Sequence, residues 1–200
     1  GTAHIGFYAT RSHRLITLDD CPIEREELVL CAKTVTDWAR KYKISCYDET
    51  TGRGVLRHVV GRITSTGDVM TVVVTSGQLP HKDELIALLR ERVPGIVSIV
   101  HNVNSQDTNV IFGEKFETVY GADHICEKIA GLSFEVSAAS FLQVNPSQTE
   151  KLYALVKNAL PDGEFTAVDV YCGTGTLTLI AAQKAKKAVG IEYIKPAVQD

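Results

Sequence analysis

No stretch of this 200-residue chain approaches the roughly 20 consecutive apolar residues that a membrane-spanning helix requires. No charged segment leading into an apolar one opens the chain, so no secretory signal is read at the N-terminus. No Cys-x-x-Cys pair occurs. The five cysteines, Cys21, Cys31, Cys46, Cys126 and Cys172, are odd in number and scattered. That excludes a disulfide framework and points to a reduced, cytoplasmic protein. No complete metal site can be read from them. Excess positive charge is lacking too: the net charge of −3 argues against a strongly basic nucleic-acid binder and leaves room only for a local basic patch. Internal repeats and low-complexity tracts are absent. No Met begins the chain, and the abrupt Gly1-Thr2-Ala3-His4 reads as an internal start.

What is present is ordinary for a folded protein, with 44% hydrophobic and 22% charged residues. Residues 4–18 alternate loosely around the polar Arg11-Ser12-His13-Arg14, as a hairpin does. Cys21-Pro22 interrupts it. Ile23, Leu28, Leu30, Val35, Trp38 and Ala39 then recur at helical intervals over 24–42. Two strands, 55–63 and 69–75, flank a Thr-Gly-Asp turn. Pro80 and Asp83 open a helix over 82–92, and Pro94-Gly95 closes it. Strands are expected at 96–102, 110–112, 116–120 and 132–136. Residues 1–138 therefore read as a central α+β domain with a largely antiparallel sheet.

From 139 the texture changes. A helix over 147–159 is expected to start with Ser147 as cap and Glu150 in the capping-box position. Phe165–Val170 reads as a buried strand, residues 176–184 as a helix and Ala188–Ile191 as the next strand. A further helix begins at Pro196. The whole is an α/β chain: an antiparallel α+β domain, then over 139–200 the first βαβ of a Rossmann-like domain. A sheet cut after two strands would expose an edge that invites self-association.

The chemistry lies in that βαβ. A strand, a Gly-x-Gly loop, a helix, a second strand and a terminal acid form a nucleotide-type pocket at the C-terminal ends of parallel strands. Gly173 and Gly175 let the backbone approach a ligand closely. Glu192 ends the second strand, where a carboxylate can accept both ribose hydroxyls. Alone, Gly-x-Gly is weak; this context strengthens it. A dinucleotide fingerprint would need a third glycine where Thr178 stands. The loop suits S-adenosylmethionine, which carries no phosphate.

The resemblance then becomes specific. Ser140-Phe141-Leu142-Gln143-Val144-Asn145, Gln148, Leu152-Tyr153, Asp169-Val170-Tyr171-Cys172-Gly173-Thr174-Gly175-Thr176 and Val189-Gly190-Ile191-Glu192 together resemble the RNA uracil-5-methyltransferase family. These enzymes methylate C5 of uridine in ribosomal or transfer RNA. Upstream, Gly6-Phe7-Tyr8, Asp20-Cys21-Pro22-Ile23, Leu56-Arg57-His58, Asn102-Val103-Asn104 and Thr108-Asn109-Val110-Ile111 are similar as well. The Cys-Pro-Ile segment favours the branch acting on 23S ribosomal RNA over the transfer-RNA branch.

The resemblance implies that Gln143, Tyr171, Gly173, Gly175, Thr176 and Glu192 bind S-adenosylmethionine. It implies that Cys21 matches the last cysteine ligand of a [4Fe–4S] cluster whose other ligands this chain does not contain. It further implies a cysteine nucleophile in a Ser-Cys-Asn-Pro segment, which is absent, so no catalytic residue is assigned and the chain by itself is expected to be inactive. Cys172 is read as structural, not as a substitute nucleophile. Arg11, Arg14, Arg53, Arg57 and Arg62, with His13 and His58, are candidates for a basic RNA-facing surface, Arg57-His58 foremost. Two other readings stand beside this one: a non-catalytic RNA-binding module built on residues 1–138, and a small-molecule methyltransferase with an accessory domain.

Overall fold

A computed structural model of the chain describes residues 3–12, 14–108, 110–141, 143–193 and 198. The chain forms two compact units, Gly1–Ile63 with Gly67–Asp123, and Thr64–Thr66 with His124–Asp200.

The first unit starts with a small antiparallel hairpin, β1 (Gly6–Tyr8) and β2 (Leu15–Thr17). Helix α1 (Glu26–Lys41) follows, with acids in its first turn and Arg40 and Lys41 in its last, matching the helix dipole at both ends. The main sheet has the order β3-β4-β5-β6, from β3 (Leu56–Ile63), β4 (Val69–Thr75), β5 (Ile96–Val103) and β6 (Lys115–Gly121). Strand β4 is buried at all seven positions. Its sequence Val-Met-Thr-Val-Val-Val-Thr is nearly continuous in apolar and β-branched residues, as a strand covered on both faces must be.

The sheet is largely antiparallel, as expected, with one parallel pairing that the sequence did not show. β3–β4 and β5–β6 are antiparallel, but β4 and β5 run parallel, because α2 (Lys82–Arg92) lies between them and parallel neighbours need such a crossover. The two helices pack on one face. Trp38, Val35 and Cys31 of α1 and Leu85 and Leu89 of α2 meet Val69, Val73 and Ile99 of the sheet. Gly61 sits mid-strand because a Cβ there would come within 2.8 Å of Leu28 Cδ2, so the glycine admits the helix. The Trp38 indole is fully buried and donates to the His81 carbonyl at 3.2 Å.

Cys31 lies in this core and accepts from the Thr71 hydroxyl at 3.0 Å. Burial, above all, pushes its thiol pKa up to about 11. An unfolded thiol ionises well below that value. The contribution of Cys31 to stability is thus complete below the usual thiol pKa and is lost as pH rises toward 11. At mildly alkaline pH, iodoacetamide is expected to label the exposed Cys126 and to spare Cys31 until denaturant is added. Equal labelling rates would mean that α1 opens in the native state.

Residues 110–112 are a loop, not the expected strand. Their carbonyls serve tertiary bonds instead of a ladder: the Asn104 side-chain amide donates to the Val110 and Ile111 carbonyls at 2.8 and 3.2 Å.

The second unit contains an antiparallel hairpin, β7 (His124–Ile129) and β8 (Leu132–Ser137). Its two-residue turn, Ala130-Gly131, has positive φ at both positions, the geometry that suits the strand twist. Glu127 is buried on β7 and accepts from the backbone N–H of Ser65 at 3.0 Å and from the Ser65 hydroxyl. Helix α3 (Pro146–Ala159) is capped by Asn145, whose side chain accepts from Gln148 N–H at 3.1 Å. Ser147 was the expected cap. The proline at the first helical position moves the start back, as proline favours that place. Glu150 is not part of a capping box but accepts from Ala130 N–H at 2.9 Å. Ile129, Phe134, Tyr153 and Ile180 form the core of this unit. Strand β9 (Thr166–Asp169), helix α4 (Thr176–Ala182) and strand β10 (Lys187–Gly190) complete a βαβ with a parallel pair. The expected helix start at Pro196 lies outside the described residues, as do His13, Asn109 and Leu142.

Candidate cofactor site

The glycine loop joins β9 to α4. Gly173 and Gly175 have φ of 55° and 81°, a region that costs other residues roughly 1–2 kcal/mol. A Cβ at either would have no atom within 4 Å. Backbone conformation, not crowding, therefore requires glycine at both positions, and the space over the loop is open. The turn closes with Gly175 N–H donating to the Cys172 carbonyl at 2.8 Å. The parallel pair extends into the loop: Ile191 N–H donates to Asp169 C=O at 2.8 Å, and Cys172 N–H to Ile191 C=O at 3.1 Å.

That extension brings Glu192 to the loop. Its carboxylate accepts from Gly173 N–H at 3.0 Å and from Tyr193 N–H at 2.7 Å. The acid expected from the end of the second strand thus stands at the C-terminal ends of both strands, against the first glycine of the loop. Tyr171 is 90% exposed at the same end. Thr176 is half-buried, and its hydroxyl lies 3.3 Å from that of Thr174. Gln143 is exposed in its main part, and its side chain hydrogen-bonds the phenol of Tyr153.

Three further residues, none of them assigned to cofactor binding, shape the site. Tyr153 is nearly buried and links the Gln143 segment to the core. Burial, the largest influence, raises its pKa; the Gln143 bond lowers it, and the nearby Asp169 carboxylate raises it again. Asp169 itself accepts from the Thr178 hydroxyl at 2.9 Å. Thr178 is where a dinucleotide fold would carry its third glycine; here it fixes the acid at the strand end. The spacing of Thr149 and Tyr153, both buried on one face of α3, marks the tyrosine as a packed residue.

Cys172 is half-buried under Gly190. A Cβ on residue 190 would lie 2.8 Å from Cys172 Sγ and 3.0 Å from Thr178 Oγ1. The Cys172 side chain thus packs against this glycine. Gly190→Ala is expected to destabilise the second unit by about 1–3 kcal/mol through overpacking, and adding Cys172→Ala should recover part of that loss. Urea unfolding of the single and double variants measures it; additive losses would deny the contact.

Cys21 is half-buried, its N–H bonded to Asp20 Oδ1 at 2.9 Å. Among the described residues no group of three or more His, Cys, Asp or Glu could hold a metal. One thiolate does not fit a four-ligand cluster, so no step is derived through one. The basic residues separate into two kinds. Arg11, Arg14 and Arg53 are exposed. Arg62 is partly buried, which lowers its pKa, and burial followed by the Arg57 charge lowers that of His58. Arg57 is committed to backbone carbonyls of the first unit and is not free on a solvated face.

Among the described residues no helix is long and apolar enough to cross a membrane. No family model matches the chain. It is 44% identical to an uncharacterized RNA methyltransferase of Halalkalibacterium halodurans, over 98% of this chain and 43% of that protein. It is 43% identical to one of Clostridium tetani, over 100% of this chain and 44% of that protein. The chain thus spans less than half the length of these relatives. Among solved structures, Pyrococcus abyssi tRNA (uracil-54, C5)-methyltransferase in complex with S-adenosyl-L-homocysteine matches with a TM-score of 0.77 at 25% identity, over 93% of this chain and 45% of that one. The chain therefore has the α/β fold found in that methyltransferase.

Proposed function

We propose that this chain belongs to an S-adenosylmethionine-dependent methyltransferase that modifies C5 of uridine in RNA. The observation that carries this is the meeting of Glu192 with the first glycine of an open, positive-φ loop at the ends of two parallel strands. A carboxylate there accepts ribose hydroxyls, and the bare glycine backbone lies against the rest of the cofactor. Gln143, Tyr171 and Thr176 complete the cofactor-binding set. The similarity to RNA methyltransferases over nearly the whole chain supports RNA as the substrate. Residues 1–138 serve as the central domain and 139–200 as the beginning of the cofactor domain. No Ser-Cys-Asn-Pro segment occurs in these residues, so none of them is proposed as the nucleophile. The reading places the protein in the cytoplasm.

The Cys21-Pro22-Ile23 segment supports 23S ribosomal RNA as the target. A specific observation favours a second reading, transfer RNA: the matched solved structure is a tRNA (uracil-54, C5)-methyltransferase. The test is a paired titration of the folded chain. Calorimetry with S-adenosylmethionine should give saturable binding, and its absence would overturn the cofactor assignment. Gel shifts with a 23S fragment and with transfer RNA should favour the ribosomal fragment. The reverse preference would establish the second reading, and no shift with either would remove RNA as the substrate.

A further inference from the structure

Tyr153 stands in the core of the second unit, against Ile129, Phe134 and Ile180. A buried phenol costs free energy unless its hydroxyl is bonded, so phenylalanine would serve this core better unless the oxygen has a task. Side chains of a helix lean toward its N-terminus, and Tyr153 lies about two turns into α3. Its phenol therefore reaches back toward the entry of the helix, where Gln143 precedes the Asn145 cap. There it meets the Gln143 side chain.

That bond orients the amide. It favours the ionised phenol over the neutral one, which is the effect of an amide N–H donating to the phenolic oxygen. Gln143 thus gives its nitrogen to Tyr153 and turns its carbonyl oxygen outward as an acceptor. The residue is exposed, and without the bond its side chain would turn freely and lose that freedom on meeting a ligand. The phenol keeps its own proton, because the nearby Asp169 carboxylate disfavours a phenolate. Asp169 is in turn fixed by the Thr178 hydroxyl at 2.9 Å. Gln143, Tyr153, Asp169 and Thr178 come from four different parts of the chain, and together they join the entry of α3 to the strand end that opens the glycine loop. At 7% exposure Tyr153 offers a ligand almost no surface of its own, so its effect on a ligand passes through Gln143.

We propose that Tyr153 is a positioning residue of the cofactor site: its phenol holds the Gln143 side chain so that the amide oxygen is presented to a hydrogen-bond donor of S-adenosylmethionine. This rests on the cofactor assignment above and names the group that prepares it. With the ribose hydroxyls assigned to Glu192, the donors left on the cofactor are the adenine amine and the methionine ammonium.

The test is a double-mutant cycle on the whole chain, with S-adenosylmethionine as the titrant. Tyr153→Phe keeps the ring and its packing and removes only the hydroxyl. It is expected to weaken cofactor binding about three- to tenfold, the effect of one hydrogen bond. Gln143→Ala should weaken binding at least as much. In the Gln143→Ala background, Tyr153→Phe should change nothing further, since the two residues act as one. A readout independent of the cofactor comes from NMR: the side-chain amide protons of Gln143 should exchange with water faster in Tyr153→Phe than in the wild type. Wild-type affinity in Tyr153→Phe would overturn the positioning role and leave the cofactor reading standing. Additive losses in the double variant would overturn it as well, because a tyrosine that only supports the fold weakens binding in either background. Unchanged exchange of the Gln143 amide protons would deny that the phenol orients the amide. No binding by the wild type would overturn the cofactor reading and this role together.

Discussion

Glu192→Ala is expected to raise the dissociation constant for S-adenosylmethionine about ten- to a hundred-and-fifty-fold, with little change in thermal unfolding. The magnitude follows from the chemistry of the lost group. A carboxylate taking ribose hydroxyls makes charge-assisted hydrogen bonds, each contributing about 1.5–3 kcal/mol when the partner is charged, and each 1.4 kcal/mol is a tenfold change in affinity. The residue is partly exposed and ends a strand, so removing its side chain leaves no buried cavity. It does remove the acceptor of Gly173 N–H, and water can take that place. Glu192→Gln separates charge from shape. The amide still accepts from one hydroxyl but presents only one oxygen, so its loss should fall between wild type and alanine. Calorimetry on the three proteins settles the order. Equal affinity in all three would mean that the ribose lies elsewhere, and the glycine loop would lose its assigned ligand.

The second large effect concerns the fold. Trp38→Ala is expected to cost the first unit about 3–5 kcal/mol. The indole is fully buried between α1, α2 and the sheet, and its N–H holds the His81 carbonyl. His81 itself has φ of 47° just before α2 and stacks on Tyr42 with ring centroids 4.3 Å apart. The truncation therefore leaves a cavity and frees a carbonyl in a turn already in an unfavourable conformation. Against a usual stability of about 5–15 kcal/mol, that loss should lower the urea midpoint severely. Trp38→Phe should be milder, because it keeps most of the volume and gives up the hydrogen bond. A midpoint within error of wild type for Trp38→Ala would mean that α1 does not anchor this core.

The parts of this fold that could be read in advance are those where local chemistry and tertiary packing agree. Helix α2 runs from Lys82 to Arg92 as read, because Pro80 and Pro94-Gly95 bracket it and Leu85 and Leu89 fall on one face. The β3–β4 hairpin was legible from its turn. That Glu192 would stand beside the glycine loop was legible because it directly follows the second strand of a βαβ unit. Where tertiary bonds win, the reading failed. Val110-Ile111-Phe112 has strand composition, but Asn104, forty-seven residues from Arg57, supplies the hydrogen bonds that a ladder would have made. Strand β7 went unread because Glu127 occupies a buried position in His-Ile-Cys-Glu-Lys-Ile, and the partner that makes this tolerable, Ser65, is sixty-two residues away. The parallel pairing of β4 and β5 was masked by the hairpins on either side. Tyr153 carried no sign that its hydroxyl would meet Gln143.

That mixed sheet also orders events in time. The β3–β4 hairpin closes over a turn of a few residues, an event of about 1–10 μs. Strand β5 can join β4 only after the whole of α2 has been traversed, and such non-local pairing delays the rate-limiting step. The hairpin and α2 are thus expected to gain protection first in pulsed hydrogen exchange, with β5 and β6 following together. The loop after β5 then acquires its shape last, since the guanidinium that holds its carbonyls stands on an early strand and finds them only once β5 has joined.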